Sequence, residues 1–207
     1  MSDPNGSTST SDDFPLSLMF LKFCAKVRNN DPTILPESGQ PFKILNLSER
    51  ESIELSEALL ENRSVTYLEL LTRNYTKISA EAMAKYVRTS KRLQRIDMLK
   101  ECTETQQHYK ETMCCFLPAL QESTSLKELK MIFQSGPLTA GQTKSNIAFE
   151  HVLTHTQSLR SLRLECPGVV DVAAARSGLE KNTTLQELTL AFSIGTRFLP
   201  ILTSLCD

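Results

Sequence analysis

The chain has 207 residues, 40% hydrophobic and 23% charged, which suits one globular domain with a substantial core. Its formal net charge of -1 excludes a general electrostatic pull toward nucleic acid or an anionic membrane. Trp is absent and aromatics are only 6%, so the core must be mostly aliphatic; six cysteines without a CxxC pair argue for reduced packing thiols over a disulfide scaffold.

Residues 1–13 are Ser, Thr, Asp, Asn and Gly without an apolar pattern, and read as a disordered tail. An apolar run follows from Phe14 to Ala25. The segment before it carries Asp3, Asp12 and Asp13 and no Lys or Arg, the wrong charge for a secretory signal, and the run is too short to span a bilayer. A cytosolic or nuclear chain is expected, so the N-x-S/T sequons at Asn5, Asn46, Asn62, Asn74 and Asn182 carry no weight. Asp12 or Asp13 is expected to cap a helix with Pro15 in its first turn, running to about Asn29 with Leu16, Phe20, Phe23 and Val27 on one face. Residues 14–41 then form an N-terminal capping helix and a Pro-containing linker from Asp31 to Pro41. A partner-binding amphipathic helix is the alternative reading of the same segment.

A repeat organises residues 42–207. Anchors at Val65, Leu93, Leu126, Leu159 and Leu185 lie 28, 33, 33 and 26 residues apart. Each opens an LxxLxL-like segment: Val65-Leu68-Leu70, Leu93-Ile96-Met98, Leu126-Leu129-Met131, Leu159-Leu162-Leu164 and Leu185-Leu188-Leu190. A less regular copy, Phe42-Leu45-Leu47, precedes them. Six residues before the anchors stand Leu59, Val87, Leu120, Leu153 and Leu179; four residues earlier stand Leu55, Met83, Phe116, Phe149 and Ala175. Chance agreement across these columns at this hydrophobic content is about one in ten billion. Three residues before each anchor a small polar residue marks the helix exit: Asn62, Ser90, Ser123, Thr156 and Asn182.

The segment LxxLxL is a short strand with alternate residues turned inward, and the preceding pair is one face of a helix. No unit closes its core alone, so the units stack. The α/β pattern, with joins such as Leu55 to Leu70 and Leu179 to Leu190, resembles the ribonuclease-inhibitor-like class of leucine-rich repeats. That resemblance implies a solenoid of about six repeats, with a curved parallel sheet on the concave side and helices on the convex side. The class places Asn or Cys soon after the strand. Here Asn74, Cys102, Gln134 and Cys166 do not fall in one column, so irregular turns and an imperfect horseshoe are expected. Near the end, Phe198, Ile201 and Leu202 resemble the next helix face, with no strand after them. A fragment, a truncated product or the start of a longer array accounts for this.

Catalytic and metal motifs do not emerge. His151 and His155 have the spacing of two zinc ligands, but Val152 stands where a zinc protease needs Glu and no third ligand is evident. Adjacent Cys114 and Cys115 read as packing residues. Ser48 with Glu51 fits a capping box. No phosphate-cradling loop or nucleophile elbow is present, so no catalytic, cofactor-binding or metal-ligating residue is assigned.

Binding is expected on the outward-facing strand residues. Their central column reads Asn46, Glu69, Asp97, Lys130, Arg163 and Thr189, acidic early and basic late. One flank reads Tyr67, Arg95, Glu128, Ser161 and Glu187, the other Leu71, Leu99, Ile132, Glu165 and Ala191. Contiguous apolar residues on an open face mark an interaction site, so a protein partner is expected on Leu71, Leu99 and Ile132, oriented by the charge switch. The alternative is that a long turn covers the strip. The reading is a non-catalytic scaffold or adaptor that binds a protein, with neither nucleic acid nor membrane as partner. A Ran-type GTPase-activating protein, or the repeat segment of a larger receptor or ubiquitin-ligase substrate adaptor, is the alternative.

Overall fold

The structure, a computed structural model, describes residues 15–37, 39–71, 75–100, 106–133, 153–166 and 172–192. Five helices and six strands are delimited: α1 (Leu18–Arg28), β1 (Phe42–Ile44), α2 (Glu49–Glu61), β2 (Tyr67–Leu71), α3 (Lys77–Thr89), β3 (Arg95–Lys100), α4 (Gln106–Glu122), β4 (Glu128–Phe133), β5 (Ser161–Cys166), α5 (Val172–Lys181) and β6 (Glu187–Phe192). Leu153, Thr154 and His155 are also helical. The proposed tail at 1–13, Phe149, His151 and the Phe198–Leu202 face lie outside the described residues.

All six strands pair in parallel, in chain order, as one sheet. Parallel neighbours need a crossover, and α2, α3, α4 and α5 supply it between β1 and β2, β2 and β3, β3 and β4, and β5 and β6. Leu68, Ile96, Leu129, Leu162 and Leu188 stand in one cross-strand row, and Leu70, Met98, Met131, Leu164 and Leu190 in another. The expected inward columns are thus in register. They are buried from β2 to β5, together with the helix residues Leu55, Leu59, Met83, Val87, Phe116, Leu120 and Leu153. Leu179, Leu185 and Leu188 are only partly buried against that core. The chain is therefore a leucine-rich-repeat solenoid, with burial of each Leu or Phe contributing about 1.5–3 kcal/mol relative to exposure.

The polar column at the helix exits ties repeat to repeat. Asn62 accepts from the backbone N–H groups of Ser64 (2.9 Å) and Val65 (2.8 Å), and donates to the Val27 carbonyl at 2.6 Å. Asn182 does the same, accepting from Thr184 and Leu185 and donating to Leu153 O. Hydroxyls two residues further on reach back one repeat: Ser125 Oγ donates to Ser90 O (2.7 Å), Ser158 Oγ to Ser123 O (2.6 Å) and Thr184 Oγ1 to Thr156 O (3.3 Å). Small polar residues recur there because Asn62, Ser90, Ser123 and Asn182 accept from turn N–H groups that would otherwise be unpaired; the buried Thr156 hydroxyl finds no partner among the described residues.

Two local expectations are corrected. The cap of α1 is Ser17, whose hydroxyl accepts from Phe20 N at 3.1 Å, and not Asp12 or Asp13; Pro15 precedes the helix. A serine one residue before the first helical position does the capping that the aspartates stand too far upstream to do. Second, β1 pairs Phe42 with Leu68, Lys43 with Glu69 and Ile44 with Leu70. The register is thus shifted by three residues from the Phe42-Leu45-Leu47 reading. Lys43, not Asn46, occupies the central column, and Asn46 takes a left-handed backbone at φ 54 just after the strand. The cysteine expectation divides: Cys24 is buried, Cys115 is intermediate, and Cys114 is exposed. Burial, with Glu54 nearby, pushes the Cys24 thiol up to about 11.

Ser48 and Glu51 form the expected capping box at the start of α2. The α1 helix is held against α2 by Arg28, which donates to Glu54 at 2.6 Å and lies 3.5 Å from Glu61. Phe23 stacks on Phe42 with ring centres 6.2 Å apart.

Candidate functional site

Strand alternation turns Lys43, Tyr67, Glu69, Leu71, Arg95, Asp97, Leu99, Glu128, Lys130, Ile132, Arg163 and Glu165 to the sheet face opposite the core. Three rows run across the strands on this face. Tyr67, Arg95, Glu128, Ser161 and Glu187 form one row; Lys43, Glu69, Asp97, Lys130, Arg163 and Thr189 form the centre; Leu71, Leu99, Ile132, Glu165 and Ala191 form the third.

The charges of this face pair with one another. Lys43 lies 3.2 Å from Glu69. Around β3, Arg95 holds Asp97 (3.0 Å) and Glu128 (3.4 Å), and its guanidinium sits 4.3 Å from the centre of the Tyr67 ring. The Tyr67 hydroxyl donates to Asp97 at 2.9 Å. Burial and then that hydrogen bond push the Tyr67 phenol up to about 12. Around β5, Glu165 takes Arg163 at 2.7 Å and Lys130 at 3.3 Å. Burial alone would raise the Glu165 carboxyl; the hydrogen bonds from Lys130 and Arg163 outweigh it and hold the group below its ordinary value. The acid-to-base switch along the central column is therefore two opposed clusters. Arg95 shares two carboxylates, a formal excess of one negative charge. Lys130 and Arg163 share one carboxylate, a formal excess of one positive charge.

Leu71, Leu99 and Ile132 are half-buried neighbours in one cross-strand row. The corrected register adds a fourth residue that the repeat reading had turned inward. Leu45 follows Ile44, which pairs with Leu70, so Leu45 is next in line to Leu71; it is 43% exposed. The strip thus runs Leu45, Leu71, Leu99, Ile132 and stops at charged Glu165. Plain alternation from Lys43 to Leu45 was the signal that would have found it.

Among the described residues no group of three or more His, Cys, Asp or Glu is placed to hold a metal ion. His155 is exposed on its helical segment. Among the same residues no helix is long and apolar enough to cross a membrane.

No known protein family and no curated protein matches the sequence. Solved structures do match the fold. Leiomodin-1 actin-binding site 2 superposes with a TM-score of 0.53 at 17% identity, over 81% of this chain and 91% of that one. The tropomodulin C-terminal domain of Caenorhabditis elegans superposes with a TM-score of 0.52 at 15% identity, over 78% of this chain and 92% of that one. At these identities the likeness is one of fold: a single parallel sheet backed by helices, in repeats.

Proposed function

We propose that this chain is a non-catalytic protein-binding scaffold of the ribonuclease-inhibitor-like kind, working without a cofactor in the cytosol or nucleus, with α1 closing the first repeat. The observation that carries the reading is the apolar row Leu71, Leu99, Ile132 in register on the sheet face turned away from the core, beside charges already paired among themselves. A half-exposed row of large aliphatic side chains offers a desolvation gain to a docking surface, and pre-paired charges fix orientation without a large ordering cost. Tyr67, Glu69, Arg95, Asp97, Glu128, Lys130, Arg163 and Glu165 form the polar rim of that surface. An affinity pull-down beside the Leu99→Ser/Ile132→Ser double variant tests it. A partner captured by the parent and lost by the folded variant is expected; equal capture by both would remove the sheet face from the reading.

Actin is a specific partner to test, because one of the matching folds is named for an actin-binding site. Co-sedimentation with filaments and native-gel shift with monomers separate this from the general reading. Binding in either assay that the double variant loses would assign actin; no binding in both would leave the scaffold with another partner.

A further inference from the structure

Resting on the scaffold reading, we propose that the strip Leu45, Leu71, Leu99, Ile132 is a seat for one amphipathic α-helix of a partner protein, lying across the strands. The argument is one of pitch. Neighbouring strands stand about 4.8 Å apart, so four residues in one row repeat at that step and span about 14 Å. The apolar stripe of a helix, at i, i+3, i+7 and i+10, advances about 15 Å over the same four residues, at 1.5 Å per residue. The two ladders stay matched to about 1 Å along the whole strip. An extended segment laid the same way presents side chains on one face every 6.6–6.8 Å or so, and has slipped by about 6 Å at the fourth position. Nor does the face offer an extended segment any backbone pairing, because the N–H and C=O groups of β2 to β5 are used by their neighbours on both sides.

Along the seat the β1–β2 end is neutral, where Lys43 pairs with Glu69, and opposite charges follow toward β3 and β5. The β3 cluster of Arg95, Asp97 and Glu128 has a negative excess, and the β5 cluster of Lys130, Arg163 and Glu165 a positive one. The strip ends at Glu165, in the row position that Ile132 holds one strand earlier. The helix that fits is therefore about three turns long. It has one aliphatic stripe, basic flanking residues near Asp97 and Glu128, and acidic ones near Lys130 and Arg163 toward the β5 end.

The test uses the full chain and a fluorescein-labelled synthetic helix of about 16 residues, Ala- and Gln-based. It carries Leu at i, i+3, i+7 and i+10, Glu in its first half and Lys in its second. The control peptide has the same residues with Leu at every second position. Fluorescence anisotropy is expected to show saturable binding of the helical peptide, at least tenfold weaker binding of the control, and at least a threefold loss for Leu45→Ser, a change at a residue outside the strand and already exposed. Leu71→Ser, checked for an unchanged thermal transition, should cost tenfold. Equal or tighter binding of the alternating peptide, no binding of the helical one at about 1 mM, or insensitivity to both variants would overturn the proposal. So would a dimer of this chain, seen by sedimentation and abolished by the same substitutions, because the strip would then belong to a second copy. A pull-down partner that needs Leu99 and Ile132 while the helical peptide fails would leave the scaffold standing and remove only the helix.

Discussion

The Tyr67 hydroxyl donates to the Asp97 carboxylate across β2 and β3 at 2.9 Å, while the Arg95 guanidinium, bonded to the same carboxylate, lies over the Tyr67 ring. One aromatic ring is thus clamped between an acid and a base on the face proposed to bind a partner. Asp97 itself is buried, at 6% exposure, and two of its neighbours in the fold exist to satisfy it.

This geometry predicts an alkaline stability loss. The Tyr67 phenol is raised from an ordinary 10 to about 12, first by burial and then by the bond to Asp97. A raised folded-state value means that the stabilisation is complete below pH 10 and is lost as the pH climbs toward 12. Tyr67→Phe should cost about 0.5–1.5 kcal/mol at pH 7 by urea unfolding, because Asp97 keeps Arg95 but loses one donor. The gap between parent and variant should shrink between pH 10 and pH 12. No gap at pH 7 would show that the ring packs and the hydroxyl contributes nothing, and a gap independent of pH would show that its contribution is not tied to the phenol's ionisation.

Asn62 joins α1 to the first full repeat. Its side chain is buried and makes three backbone hydrogen bonds, to Ser64, Val65 and Val27. Asn62→Ala removes the acceptor of two N–H groups and leaves the Val27 carbonyl with only the backbone N–H of Asn30, at a cost of about 1–3 kcal/mol in thermal or urea unfolding. Because Val27 lies in the last turn of α1, limited proteolysis should cut that helix faster in the variant than in the parent. A destabilised variant with unchanged cleavage of α1 would show that Arg28 and Phe23 hold the helix alone.

Sequence periodicity located β2 to β6 because each strand repeats the same inward spacing and each helix exit carries the same small polar type. It misplaced β1 because Phe42-Lys-Ile-Leu-Asn-Leu47 satisfies two spacings at once, and only pairing with Leu68 and Leu70 chooses between them. The row Leu71, Leu99, Ile132 was legible, being a matter of register. Leu45 was not, since the same ambiguity turned it inward. Nor was the pairing of the charges. A list of Arg95, Asp97, Lys130 and Glu165 carries no distances, and whether they face a partner or one another depends on side-chain reach across neighbouring strands.

Glu165 closes the strip and carries two cations. The hydrogen bonds from Lys130 and Arg163 hold its carboxyl below the ordinary value despite burial. A depressed folded-state value contributes stability above the unfolded value and loses it as the pH falls through the folded one. The group is partly exposed, so Glu165→Gln should cost under about 1 kcal/mol at pH 7 and make acid unfolding less pH-dependent. The same change leaves Lys130 and Arg163 without their shared counter-charge. An acidic partner segment over β4 and β5 should therefore bind more tightly to the variant, in calorimetry at low salt, and lose that gain at about 1 M salt. Weaker binding at low salt would mean that Glu165 itself contacts the partner.

Pro118 sits inside α4 and is exposed. It has no N–H to give to the carbonyl four residues back, at Cys114, and its ring crowds that turn. Neighbouring Leu117 and Ala119 are buried, so the helix keeps its packed face through the break. Pro118→Ala restores the missing donor at a surface position without removing any core atom, and Ala is the residue most favourable to a helix. The unfolded chain gains freedom when the ring is lost, which offsets about 0.4–1 kcal/mol of the gain. The net expectation is an increase of about 1–2 kcal/mol in urea unfolding, with an unchanged slope. A decrease would show that α4 bends at Pro118 to keep Phe116 and Leu120 on the core, and that straightening it drives them out of register.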